Sequence, residues 1–254
     1  MVHAYYHPLH NGSSRAIVKT LLRFWLMHKF SSLAKEEWIP HRGRRRGWLA
    51  AVALLIASAS LHAEARLIVL GDSLTHGYAL PAGQAYPALL QKKINEDGLD
   101  WTVINAGVSG DTTAGGLARL NWLLRGRVDG VIVALGANDG LRGASTASIE
   151  KNLQAIIDRI RQSHPEAFIL LVGMKMPPNL GRDYREQFDA LFPALAEKND
   201  LPLLPFLLEG VGGRRELNLA DGIHPNAEGQ KILADNVWAK LRPLLEISGG
   251  QNGD

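Results

Sequence analysis

From residue 66 onward the chain repeats one pattern, a short apolar run followed by a segment with apolar residues at helical spacing. Leu67–Leu70, Trp101–Ile104, Gly130–Leu135 and Phe168–Val172 are runs of strand length, and Leu203, Leu204 and Phe206 form a fifth, shorter one. Between them the spacing predicts helices over Gln84–Ile94, Thr113–Leu124, Ser148–Arg161 and Asp183–Lys198, the third capped by Ser148 or Thr146. A last helix opens near Asp221 and runs to about Leu244. The runs are continuous rather than alternating, which marks strands covered on both faces. Strands that alternate with helices build a parallel sheet through right-handed crossovers. The expected fold is α/β, a flavodoxin-like three-layer sandwich with a five-stranded parallel sheet and helices on both faces. The sequence has no internal repeat.

The first 65 residues stand outside this pattern. Arg42, Arg44, Arg45 and Arg46 precede an apolar stretch from Trp48 to Ala59, and Ala63-Glu64-Ala65 closes the segment. A basic region, an apolar region of about a dozen residues and an A-x-A site describe a secretory signal peptide over about 42–65. The stretch is shorter than the roughly 20 residues a bilayer span needs. Residues 1–41 suggest neither a core nor a site. They are expected to reflect a misassigned start, with Met27 an internal candidate, and the alternative is an uncleaved signal anchor. The charge divides at the same point. Residues 1–65 hold nine of the 28 Lys and Arg and three of the 25 Asp and Glu, leaving 19 basic against 22 acidic residues beyond. The pI near 9.2 therefore belongs to the presequence, and nothing in 66–254 invites nucleic acid. With no cysteine in the chain, thiol catalysis, disulfides and Cys-based metal sites are excluded.

In an open parallel sheet ligands bind at the carboxyl ends of the strands. Ser73 lies there, just after Leu67–Leu70 and Gly71, and reads either as a nucleophile or as the cap of the next helix. A nucleophilic serine needs a base, and residues 66–254 contain three histidines. His76 is three residues past Ser73 in the same turn, and His164 belongs to the opposite edge of the sheet, as a solvated residue at a helix end. His224 follows the last strand at the correct edge, and Asp221 three residues earlier is spaced to orient its imidazole. Alternatively, Asp221 caps the last helix, with Pro225 in its first turn. There is no Gly-x-Ser-x-Gly elbow and no Walker loop. The Gly110 amide, the Asn138 side chain and the Ser73 amide are candidate oxyanion donors, although each loop could be an ordinary polar turn.

Gly71-Asp72-Ser73-Leu74, Gly110 within Ser109-Gly110-Asp111-Thr112, Gly136-Ala137-Asn138-Asp139 and Asp221-x-x-His224 resemble the four blocks of the GDSL, or SGNH, hydrolases. More narrowly, residues 66–245 resemble the bacterial periplasmic thioesterase/lysophospholipase/arylesterase branch. The resemblance implies Ser73 as nucleophile, His224 as base then acid, Asp221 as the orienting carboxylate, and Gly110, Asn138 and the Ser73 amide around the oxyanion. It implies hydrolysis of small-molecule acyl esters and thioesters, with lipids among the possible substrates, by a periplasmic or secreted monomer without metal or cofactor. Asp72 and Asp139 are read as structural. Two other functions compete. One is a carbohydrate O-acetylesterase of the same superfamily, disfavoured by the apolar loop residues Leu80, Leu141, Met174, Met176, Pro177 and Leu180. The other is a non-catalytic flavodoxin-like binding module.

Overall fold

The computed structural model describes residues 64–250, so all but the last two residues of the signal-peptide segment lie outside them. The elements follow in order: β1 (Ala65–Gly71), α1 (Ser73–His76), a 3-10 turn Ala82–Gln84, α2 (Tyr86–Glu96), β2 (Trp101–Gly107), α3 (Thr113–Leu123), β3 (Gly130–Ala134) and α4 (Ala137–Leu141). Then come α5 (Thr146–Ser163), β4 (Phe168–Val172), a 3-10 turn Pro178–Leu180, α6 (Arg182–Lys198), β5 (Leu203–Leu204), a 3-10 turn Arg215–Leu217 and α7 (Ala227–Gly250). The strands pair in parallel in the order β2-β1-β3-β4-β5. This is the flavodoxin-like order, whose switch point lies between β1 and β3.

Side-chain alternation along the strands separates two cores. Ile68, Leu70, Val131, Val133, Ile169 and Leu171 face one side, against residues of α3, α5 and α6. Leu67, Val69, Ile132, Ala134, Leu170 and Val172 face the other, against α2 and α7. Withdrawing each large aliphatic side chain from water contributes about 1.5–3 kcal/mol. The central strands bury such groups on both faces, so they anchor the sheet edge from which the site loops spring.

The elements depart from the sequence expectation chiefly where polar residues intrude. Strand β2 continues past Ile104 because Asn105 and Gly107 still pair with Val69 and Gly71, and a backbone ladder does not need apolar side chains. The segment after β3, expected as a loop, coils into α4. Helix α5 begins at Thr146 and takes Ser145 as its cap, whose Oγ accepts the Ser148 amide. Phe206 lies beyond β5. Asp221 does not cap α7. Asn226 does, accepting the Glu228 and Gly229 amides on Oδ1, and α7 runs on past Pro243 to Gly250.

Candidate active site

The polar turn at the end of β1 is built tightly enough to hold a reactive side chain. Asp72 caps α1 by accepting the Leu74 amide at 3.0 Å, which makes Ser73 the first residue of that helix. Gly77, at φ 80°, stops the helix after one turn, and the Gly77 and Tyr78 amides both return to the Ser73 carbonyl at 3.1 Å. At the end of β2, a Cβ on Gly107 would collide with the His76 backbone nitrogen, so this close approach requires glycine. From α7, the buried Gln230 donates to the Leu74 carbonyl and accepts the Tyr86 amide. Ser73 is thereby fixed from three sides.

His224 meets it from the far end of the chain. Its Nε2 lies 3.0 Å from Ser73 Oγ across 151 residues, and its Nδ1 lies 2.7 Å from Asp221 Oδ2. The other Asp221 oxygen accepts the Ile223 and His224 amides, so the carboxylate both shapes the turn and holds the ring. Those bonds, led by the His224 amide, pull the Asp221 carboxyl down to about 2. An ionised Asp221 places the imidazole proton on Nδ1, which leaves Nε2 free to take the Ser73 proton. Of the other histidines, His76 ends α1 and is exposed. His164 is less solvated than expected, since its Nε2 bonds the Leu124 carbonyl at 2.9 Å where α5 ends.

The three candidate donors sit on adjoining loops. Asn138 Nδ2 donates to the Asp111 carbonyl at 2.9 Å and points at Asp72 Oδ2 at 3.4 Å. It thus bridges the residue before Ser73 and the residue after Gly110. The Asp72 contact is long enough to be weak and replaceable. Among the described residues, neither the Ser73 nor the Gly110 amide has an acceptor. Asp139, by contrast, is spent on structure, accepting both the amide and the hydroxyl of Thr113 and so tying α4 to α3. Burial pushes the Asp72 carboxyl up to about 6, outweighing the opposing Leu74 amide and His224.

One contact has no sequence signature. The Tyr78 ring lies over His224 with centroids 4.4 Å apart, placed by a turn in which Ala79 adopts the left-handed φ of 58°. An aromatic residue close behind the candidate nucleophile was the one available hint. Four of the six large hydrophobic residues exposed among those described, Tyr78, Val108, Leu141 and Ile223, lie on the segments that carry the site residues; Trp122 and Ile247 lie elsewhere, on α3 and α7. Of the six apolar loop residues weighed against a deacetylase, Leu141 is exposed, and Met174 lines a small cavity with Asp72 and Leu74. Met176 is buried, and Met174 and Leu180 pack against the core.

A serine, an imidazole and a carboxylate in relay beside unpartnered amides, at the edge of a parallel sheet, form the arrangement that acyl transfer through serine requires. Comparison with known proteins agrees. The profile of the GDSL-like Lipase/Acylhydrolase family matches residues 69–232, and the chain belongs to that family. It is 44% identical over 180 residues to the esterase TesA of Pseudomonas aeruginosa, covering 70% of this chain and 89% of that one. It is 42% identical over 180 residues to the thioesterase 1/protease 1/lysophospholipase L1 of Escherichia coli K12, covering 70% and 84%. Among solved structures, the psychrotrophic esterase EstA from a Pseudoalteromonas species, inhibited by monoethylphosphonate, matches with a TM-score of 0.67 and 31% identity. That match covers 71% of this chain and 98% of the other.

Proposed function

We propose that the domain 66–254 is a serine esterase that hydrolyses acyl esters and acyl thioesters. The observation that carries this reading is the Ser73–His224–Asp221 relay, at 3.0 and 2.7 Å. Ser73 Oγ attacks the acyl carbonyl as its proton passes to His224 Nε2. The carbonyl oxygen gains negative charge, stabilised by the Ser73 and Gly110 amides and by Asn138 once its long Asp72 contact is exchanged. Collapse of the tetrahedral species expels the alkoxide or thiolate, which takes the proton from Nε2 and leaves an acyl-serine. Water, deprotonated by the same nitrogen, then releases the acid and restores Ser73. No step needs a metal or cofactor.

The exposed apolar residues Tyr78, Val108, Leu141 and Ile223, on the segments that carry the site residues, support acyl or leaving groups larger than acetate and speak against a sugar deacetylase. Ser73, Asp221 and His224 meet within a single chain, so the reaction asks for no residue of a second copy. No helix among the described residues is long and apolar enough to cross a membrane. The three-part segment at 42–65 supports cleavage and release to the periplasm or the exterior. Turnover of p-nitrophenyl esters of graded chain length tests the reading. Rates should rise beyond acetate, and Ser73→Ala should lose activity by on the order of 10⁴ or more. A Ser73→Ala protein that kept its turnover would refute it.

A further inference from the structure

Arg119, on α3, bridges the two loops whose amides lack acceptors. Its Nε donates to Asp111 Oδ2 at 2.8 Å, and its Nη2 donates to the Gly71 carbonyl at 3.1 Å. Gly71 stands two residues before Ser73, and Asp111 stands one residue after Gly110. The same Gly71 carbonyl accepts the Val108 amide at 3.0 Å, and the Asp111 carbonyl accepts Asn138 Nδ2. The Asp111 carboxylate is cradled as well. Its side chain is 10% exposed, and a Cβ on Gly115 would strike its Oδ1. Arg142 also reaches this loop, at the Gly110 carbonyl, but from an exposed position.

We propose that Arg119 is a positioning residue that fixes the spacing between the Ser73 and Gly110 oxyanion donors and seats Asn138 against them. The inference rests on the oxyanion role proposed above. A guanidinium suits the task because its planar fork fixes two acceptors at a set angle. Two other side chains tie these loops: Asn138, between the Asp72 carboxylate and the Asp111 carbonyl, and Asn105, which donates to the Thr75 carbonyl and accepts the Gly107 amide. A displacement of about 1 Å at such donors costs on the order of 10²-fold in rate, while substrate binding in the ground state is unaffected.

The test measures kcat and KM per folded active site in Arg119→Lys and Arg119→Met, beside Asn138→Ala. Lysine keeps a charge for Asp111 but cannot hold both acceptors, so it guards against simple misfolding. Expected are a kcat about 10-fold lower for Lys and about 10²-fold lower for Met, with KM within about two-fold of wild type. Affinity for an alkyl trifluoromethyl ketone, whose adduct with serine carries an oxyanion, should fall in step with kcat. If Asn138→Ala loses kcat while both Arg119 variants keep theirs, losing only thermal stability, the clamp is wrong and the oxyanion hole stands. If Asn138→Ala itself keeps wild-type kcat, the oxyanion reading has failed and the clamp falls with it.

Discussion

Asn138 commits one amide hydrogen to the Asp111 carbonyl and leaves the other on a 3.4 Å contact to Asp72. As an oxyanion donor it acts only in the transition state, so Asn138→Ala should lower kcat by roughly 10²–10³ with little change in KM. Asn138→Asp, which sets a carboxylate beside the developing charge, should be at least as damaging. Kinetics and melting temperature on one preparation check this, and a stability loss with intact kcat would make Asn138 a turn residue only. Asp72 gives a prediction of a different kind. Its carboxyl titrates near 6 when folded against 3.8 in the free state. Between those values the folded protein holds a proton that the unfolded chain has lost, so stability falls as pH rises through the window, by about 3 kcal/mol. The difference in unfolding free energy between wild type and Asp72→Asn should therefore change by about that amount from pH 3 to 7, and by about 2 kcal/mol from pH 4 to 6. A difference constant with pH would contradict burial as the cause. That Ser73, Asp221 and His224 would meet was legible in the sequence because few histidines lay at the right edge and Asp221 stood one tight turn from one of them. Tyr78 over the imidazole was not, since its placement depends on an alanine in a left-handed conformation, which no propensity announces.

The elements show the same division. Continuous aliphatic runs marked β1, β3 and β4 because burial on both faces leaves no place for polar residues. The end of β2 and the whole of α4 were missed, since ladder pairing and a single helical turn are backbone matters that Asn105, Asn138 and Asp139 do not advertise. The start of α7 is the instructive case. Asp221 and Asn226 both precede it, and Pro225 lies between them. Only Asn226 binds the first amides of the helix, while Asp221 turns to His224. Asn226→Ala should therefore cost about 1 kcal/mol of stability with kcat per folded molecule nearly unchanged. Asp221→Asn should do the reverse, lowering kcat by orders of magnitude through a misdirected imidazole. Chemical denaturation and kinetics on both variants decide it. If Asp221→Asn destabilised the fold and spared turnover, their roles would be exchanged.

For the whole molecule, the sheet order places the β1, β2 and β3 loops side by side at one edge, and the last loop brings His224 to them. That convergence explains how residues as distant as 73 and 224 come within 3.0 Å of each other. With a signal peptide proposed over 42–65, the exported protein should begin at Glu64 or Arg66. Amino-terminal sequencing checks this, and recovery of intact residues 1–65 on a soluble cytoplasmic protein would contradict it. The most direct measurement of the central claim is covalent trapping with an alkyl fluorophosphonate, read by peptide mass spectrometry alongside residual esterase activity. The expected result is one adduct, on Ser73, formed in proportion to the activity lost and at least about 10²-fold more slowly in His224→Ala. Loss of activity with Ser73 unmodified, or full modification of Ser73 with activity retained, would contradict it.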